Sequence, residues 1–203
     1  MVKVENRIVQ NKLTYKGEEF PQIRGNERFN MYNYNNALRL QQLCEKELYE
    51  QAKKVYDYNQ ENRYPLMIFE IIKEYVVTYN YNNIISIYSD EYIFEGGAHG
   101  NTLRYSQNWN LQQGRMIELS ELYKRNPNYV SEILKEINNQ IKDNIQKGKN
   151  IYFEDPCCLT SAMFRVENYY LYGEFIAIFY QQYDIAPYSS GIQVFYMPKR
   201  KNS

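Results

Sequence analysis

The chain has 203 residues, which is enough for one domain with a substantial core. Lysine plus arginine and aspartate plus glutamate both number 24, so the formal net charge is zero. No long-range field therefore favours nucleic acid or an anionic membrane surface, and no stretch of the sequence has the apolar length of a membrane span.

The first part of the chain predicts strands followed by a long helix. Short alternating runs in residues 4–23, around a turn at residues 16–18, predict strands or a hairpin. Apolar residues then recur at spacings of three and four over residues 31–59, which predicts an amphipathic helix. Its apolar stripe consists of Ala37, Leu40, Cys44, Leu48, Ala52 and Val55. We expect this helix to cover one face of a sheet.

A β-rich block follows. Residues 66–81 and Ile84–Phe94 predict two strands joined by a turn at Asn82 and Asn83. A third strand containing Trp109 leads through a turn at residues 112–114 into a fourth. Consecutive strands with short turns are typical of an antiparallel meander.

A second helix is predicted from Pro127, which suits a first helical position, to Gly148, which closes it. Strands are predicted again in residues 164–172, 174–180 and 192–197. The predicted fold class is α+β: an antiparallel sheet of several strands with one long helix and a second helix packed on it. We predict one domain, residues 1–203, with a subdivision into residues 1–64 and 65–203 as the alternative.

The first candidate site is the run from Gly96 to Asn101, which lies between two predicted strands and contains the chain's one histidine, His99. Three glycines in five residues allow close backbone approach or a tight connection. His99 could be a general base or a contact residue, although a lone histidine is more often structural. The chain has no Walker lysine after these glycines and no Gly-x-Ser-x-Gly elbow, and it lacks the histidine and cysteine set of a zinc site. We therefore predict no catalytic residue, no metal and no cofactor.

The second candidate site is the loop formed by residues 183–191. Pro187 fixes one φ angle and Gly191 permits another, while Tyr183 and Tyr188 offer large amphipathic rings. The alternative is a rigid turn that anchors the last strand. Carboxylate neighbours such as Asp90 and Glu91 point to opposite faces of a strand, so we predict that they are solvated.

These motifs resemble one family. The sequences Gly-Gly-Ala-His-Gly-Asn at 96–101, Leu-Ser-Glu-Leu-Tyr at 119–123 and Tyr-Asp-Ile-Ala-Pro-Tyr-Ser-Ser-Gly at 183–191 occur in this order in domains that resemble the extracytoplasmic, lysozyme-sensing domain of the anti-sigma-V factor. Similar domains also lie beside the catalytic domains of some peptidoglycan deacetylases. The resemblance covers about residues 5–198. It implies an α+β fold and, in the best understood relatives, binding of lysozyme, but no catalysis within the domain.

The predicted function is a non-catalytic module that binds a protein, with lysozyme as the candidate, or a glycan of the cell wall. Its predicted ligand-binding residues are Gly97, His99, Asn101, Tyr183, Pro187 and Tyr188, with the two loops close together. The alternatives are a small hydrolase that uses His99, and an assembly protein that joins through a strand edge. The first residues are not a secretory signal, so the sequence as it stands predicts a cytoplasmic protein, or an extracytoplasmic one if an export or anchor segment was removed.

Overall fold

The computed structural model describes residues 9–14, 20–149 and 151–199. It divides into two compact units. Unit 1 comprises residues 1–75 and 89–103, and unit 2 comprises residues 76–88 and 104–203. The prediction of one domain, with a subdivision after residue 64, stays a prediction.

The described chain contains eight strands and several helices. The strands are β1 (Val9–Thr14), β2 (Phe69–Tyr81), β3 (Ile84–Phe94), β4 (Asn101–Asn110), β5 (Arg115–Met116), β6 (Tyr169–Tyr172), β7 (Phe175–Tyr180) and β8 (Gln193–Pro198). The helices are α1 (Glu27–Gln42), a π-helical segment (Leu43–Leu48), α2 (Tyr49–Asn62), α3 (Leu119–Leu122), α4 (Tyr129–Gln146), α5 (Pro156–Ala162) and a 3-10 turn (Tyr188–Ser190).

The strands form two sheets. The first has the order β1-β2-β3-β4-β5, and the second has the order β6-β7-β8. Strand β1 pairs parallel with β2, whereas the other neighbours are antiparallel. The predicted fold class, α+β with antiparallel strands, one long helix and a second helix, is confirmed. The predicted turn at residues 16–18 lies outside the described residues.

The long helix is longer than predicted, because α1, the π-helical segment and α2 follow one another without a break. Its apolar stripe packs on β2 within unit 1, as the spacing predicts. The cluster consists of Leu40, Cys44, Leu48, Ala52, Phe69 and Ile71. The side chain of Asn26 accepts a hydrogen bond from the Phe29 N–H, which begins the helix several residues before the apolar stripe.

A buried ion-pair triad in unit 1 corrects one prediction. Glu91 is 4% exposed, not solvated. Its carboxylate accepts from Lys73 Nζ at 2.6 Å and from Arg39 Nη2 at 2.8 and 2.9 Å. The buried carboxylate is tolerated because charged partners on β2 and α1 compensate it.

The core of unit 2 lies between α4 and the second sheet. Ile133, Ile137 and Ile141 form one face of α4 and pack with Leu171 and Ile176. Each fully buried isoleucine side chain contributes about 1.5–3 kcal/mol of transfer free energy. One prediction in this unit is wrong in detail, and one helix was missed. A strand over residues 164–172 is in fact limited to β6, and the short helix α5 was not predicted.

Candidate functional site

The His99 loop connects β3 to β4 within unit 1. Gly96 and Gly97 have φ angles of 91° and 96°, in the region that side chains rarely adopt. Gly100 is required for a different reason, since a Cβ atom there would lie 2.5 Å from the Ile93 carbonyl oxygen. The glycines therefore permit one tight connection. Asn101 follows as the first residue of β4 and is exposed.

His99 is exposed at the tip of this loop, and its Nδ1 lies 3.0 Å from the Gly100 carbonyl oxygen. A carbonyl oxygen can only accept, so Nδ1 carries the proton in this contact. The bond orients the ring on its own loop. With the proton on Nδ1, Nε2 is the acceptor nitrogen, and the role of His99 as a contact residue or a general base stays a prediction.

The predicted loop of residues 183–191 is rigid, and it lies within unit 2. Asp184 Oδ2 accepts from the Gln181 N–H at 2.7 Å, and Ile185 and Ala186 are buried. Burial raises the pKa of the Asp184 carboxyl, an effect that the Gln181 hydrogen bond and the Arg165 charge oppose. The Phe153 N–H donates to the Ile185 carbonyl at 3.0 Å. Hydrogen bonds from Gln181, just before the loop, and from Phe153, in another segment, therefore hold the loop in place.

The rings of Tyr183 and Tyr188 lie together on this loop. Their centroids are 6.0 Å apart and the rings are tilted by 32°. Tyr183 is 53% exposed and has a φ of 67°, a left-handed conformation that is uncommon for a bulky side chain. Such strain persists only where the surrounding structure holds it, and it concentrates at functional sites. Pro187, between them in the sequence, is half-buried and begins the 3-10 turn.

A cavity of about 360 Å³ in unit 2 was not predicted from the sequence. It is lined by the end of β4, by β5 and the start of α3, and by the segment that leads into β6. Its apolar walls are Met116, Ile117, Leu119, Tyr129 and Val166. Polar groups come from Ser106, Gln107, Asn108, Glu118, Ser120, Glu167 and Tyr169. The lining combines segments far apart in sequence, so no local motif could have indicated it.

The floor of this cavity belongs to a buried hydrogen-bond network. Ser86 Oγ donates to Asn108 Oδ1 at 2.6 Å, and Asn108 Nδ2 donates to the Tyr169 carbonyl at 2.9 Å. The Tyr169 hydroxyl donates to the Ile117 carbonyl oxygen. Burial raises the pKa of the Tyr169 phenol, and the nearby charges of Glu121 and Glu118 raise it further. The floor is therefore fixed in shape.

Comparison with known proteins divides the chain into two matched segments. Residues 8–102 match the family model described as Deacetylase PdaC. Residues 120–200 match the model described as a protein of unknown function, DUF3298. The chain joins a PdaC-like segment to a DUF3298-like segment. The His99 loop lies within the first segment, and the Tyr183 and Tyr188 loop lies within the second.

One curated protein that is similar to this chain is the peptidoglycan-N-acetylmuramic acid deacetylase PdaC of Bacillus subtilis (strain 168). It is 22% identical over 150 residues, which are 72% of this chain and 31% of that protein. The chain therefore spans less than a third of the deacetylase. The predicted resemblance to domains found beside peptidoglycan deacetylases is confirmed to this extent, and the resemblance to the anti-sigma-V factor stays a prediction.

Two solved structures of DUF3298-family proteins are similar to this chain. The protein from Bacteroides fragilis (NCTC 9343) has a TM-score of 0.55 and 18% identity, over 81% of this chain and 66% of that one. The protein from Pseudomonas aeruginosa PAO1 has a TM-score of 0.46 and 18% identity, over 64% and 58%. The first likeness shows a shared fold, over slightly less than two thirds of that protein.

The structure brings together the predicted residues within each loop. Gly97 and His99 lie in the first loop and Asn101 follows it at the start of β4, while Tyr183, Pro187 and Tyr188 share the second loop. That the two loops form one binding site stays a prediction. Among the described residues, no group of three or more histidine, cysteine, aspartate or glutamate side chains is placed to hold a metal ion. No helix in the described ranges is long and apolar enough to cross a membrane.

Proposed function

We propose that this chain is a non-catalytic module that binds the glycan of the bacterial cell wall through Tyr183 and Tyr188. The observation that carries the proposal is the ring pair on a hydrogen-bonded loop, in which Tyr183 is exposed and held in a left-handed conformation while Tyr188 is half-buried beside it. The C–H face of a sugar ring carries slight positive charge and packs against the negative face of an aromatic ring, while tyrosine hydroxyls bond sugar hydroxyls.

The surroundings of the ring pair support a preformed contact surface. The segment that bonds to the loop carries two exposed apolar side chains, Ile151 and Phe153. The Ser190 hydroxyl donates to the Ile151 carbonyl at 3.4 Å, and Gln193 Nε2 donates to the Ser190 carbonyl at 2.6 Å. A surface that is ordered before binding loses little conformational entropy when the ligand arrives. The likeness to a peptidoglycan deacetylase supports a cell-wall polymer as that ligand.

The test is co-sedimentation of the purified chain with insoluble peptidoglycan. Tyr183→Ala and Tyr188→Ala should each weaken binding by about tenfold or more, as expected for aromatic anchors. The matched control is Tyr81→Ala, because Tyr81 is 65% exposed at the end of β2 in the same unit. It should bind as the wild type does, and circular dichroism should show that all three variants are folded.

Three results would overturn the proposal. The first is wild-type affinity in both ring variants. The second is binding of lysozyme without binding of peptidoglycan, which would assign the surface to a protein partner. The third is an activity of the wild-type chain that releases soluble products from peptidoglycan and that a His99→Ala variant lacks. Such an activity would make the chain a hydrolase.

A further inference from the structure

The unpredicted cavity of unit 2 has the size of a ligand site. Its volume of about 360 Å³ falls within the range of about 300–1,000 Å³ that is usual for small-molecule pockets. At about 30 Å³ per water molecule, it holds roughly a dozen waters. A compact ligand with a similar number of non-hydrogen atoms therefore fits, such as one sugar ring or one amino-acid side chain.

The walls select for a ligand with a carbon skeleton. Met116, Ile117, Leu119 and Val166 offer methyl and methylene groups, and Tyr129 adds an aromatic ring. The polar side chains of the floor are already hydrogen-bonded within the protein, because Asn108 donates to the Tyr169 carbonyl and the Tyr169 hydroxyl donates to the Ile117 carbonyl. The polar selectivity of the cavity must therefore come from its rim.

The described residues that line the cavity carry negative charge and no positive charge. Glu118 and Glu167 line the cavity and are exposed, and no described lining residue is a lysine, arginine or histidine. Arg115 is nearby, but both of its terminal nitrogens pair with Glu121 at 2.7 Å. The Glu118 carboxylate accepts from the Ser120 hydroxyl at 3.3 Å and, as part of the capping box of α3, from the Glu121 N–H, and it keeps its negative charge.

A second basic side chain, that of Arg165, precedes the lining residue Val166 but does not itself line the cavity, and its hydrogen bonds go to neutral carbonyl groups. Arg165 Nη1 donates to the Phe164 carbonyl at 3.0 Å and to the Ala162 carbonyl at 3.3 Å. Burial first, and then the charges of Glu121 and Glu118, raise the pKa of the Tyr169 phenol, so an added negative charge is disfavoured at this wall of the cavity. An anionic ligand would be repelled, whereas a cation would be attracted.

We propose that this cavity binds a compact primary amine in its ammonium form, with the carbon skeleton against the apolar walls and the charge near Glu118 and Glu167. A de-N-acetylated amino sugar and the lysine-type side chain of a peptide share this chemistry. The choice of these two sources rests on the proposed function, because a cell-wall polymer contains both sugars and peptides. The Tyr129 ring can add a cation–π contact to either.

The first experiment compares glucosamine with N-acetylglucosamine by NMR titration of the full chain. The two sugars share the ring, but only glucosamine carries an ammonium group. Ligands of this size bind in the millimolar range. Glucosamine should bind about tenfold more tightly and shift the amide resonances of residues 116–120 and 166–169. Equal affinities, no binding, or shifts confined to other residues would overturn the inference.

A second arm identifies the source of the amine. The Nα-acetylated amide of lysine is compared with that of norleucine, which has the same chain length without the ammonium group. Tighter binding of the lysine compound than of glucosamine assigns the cavity to a peptide, and the reverse assigns it to a sugar. If the norleucine compound bound as tightly as the lysine compound, the ammonium charge would have no role in binding.

Isosteric variants test the rim. Glu118→Gln and Glu167→Gln keep the side-chain shape and remove the charge, so each should weaken amine binding by about threefold to fivefold. Glu154→Gln is the matched control, because Glu154 is an exposed carboxylate of the same unit that does not line the cavity. Unchanged affinity in both rim variants would contradict the inference.

The two proposals fail in different ways. Peptidoglycan binding that persists in a chain that binds no amine would overturn only the amine site. Amine binding that persists in a chain that does not sediment with peptidoglycan would overturn only the proposed function. If both hold, Tyr183→Ala should reduce sedimentation while glucosamine affinity stays at the wild-type value.

Discussion

Glu91 illustrates how one residue takes its role from distant partners. Its carboxylate is buried in unit 1, where it meets the ammonium of Lys73 and the guanidinium of Arg39. Lys73 lies 18 residues away and Arg39 lies 52 residues away in the chain. The Lys73 side chain is 9% exposed, so its charge depends on Glu91 more than that of Arg39, which is 51% exposed.

We predict that Glu91→Ala lowers the free energy of unfolding by about 3–5 kcal/mol, because it leaves the buried Lys73 charge without this carboxylate. Glu95→Ala is the control, since Glu95 is exposed directly after β3 in the same unit, and it should change stability by less than about 0.5 kcal/mol. Urea denaturation followed by circular dichroism measures both. Equal small effects would mean that the triad contributes little.

At the scale of elements, two glutamine side chains cover strand backbones of unit 2. Gln140 on α4 donates to the Tyr196 carbonyl at 2.9 Å and accepts from the Tyr196 N–H at 3.3 Å. Gln181 donates to the Arg104 carbonyl at 2.7 Å and accepts from the Arg104 N–H at 2.9 Å. A side-chain amide thus replaces a neighbouring strand. This protects β8 at Tyr196 from pairing with another chain.

The Gln140→Ala variant should expose the backbone of β8. We expect a loss of about 1–2 kcal/mol, at about 1 kcal/mol per hydrogen bond, and faster hydrogen exchange of the Tyr196 amide. Asn139→Ala is the control, because Asn139 is exposed on the same helix and alanine favours the helix. Light scattering should detect self-association of the Gln140 variant alone. An unchanged exchange rate at Tyr196 would show that the contact does not protect the strand.

The elements also show where local signals suffice. The long helix follows from its apolar spacing, and the turn between β2 and β3 follows from Asn82 and Asn83, which adopt φ angles of 50° and 57°. Helix α5 was missed because seven residues are too few for a period to be visible. Its signals were present, since Asp155 accepts from the Cys158 N–H and Pro156 occupies the first position.

For the whole molecule, the balance of 24 basic and 24 acidic residues determines whether long-range electrostatic attraction can bring a charged ligand to the protein. A chain without net charge has no long-range field to gather a polyanion. Contact with a glycan through tyrosine rings is short-ranged and uncharged. The proposed function therefore implies binding that depends little on ionic strength.

We predict that affinity for peptidoglycan stripped of anionic polymers changes less than about twofold between about 50 and 500 mM salt, because rings and hydroxyls are not screened. Binding through phosphate-type charge contacts would instead fall by orders of magnitude over this range. Polylysine on unstripped cell walls serves as the salt-sensitive control. A steep loss of binding by the wild-type chain would indicate an electrostatic contact in place of the ring pair.

The sequence by itself determined the α+β class, the amphipathic helix, the main turns and the two stiff loops, because each depends on residues a few positions apart. Only the tertiary structure decided the cavity, the Glu91 triad and the cover over β8. Their partners are separated by 18 to 61 residues, and strand register and helix packing choose which of them meet.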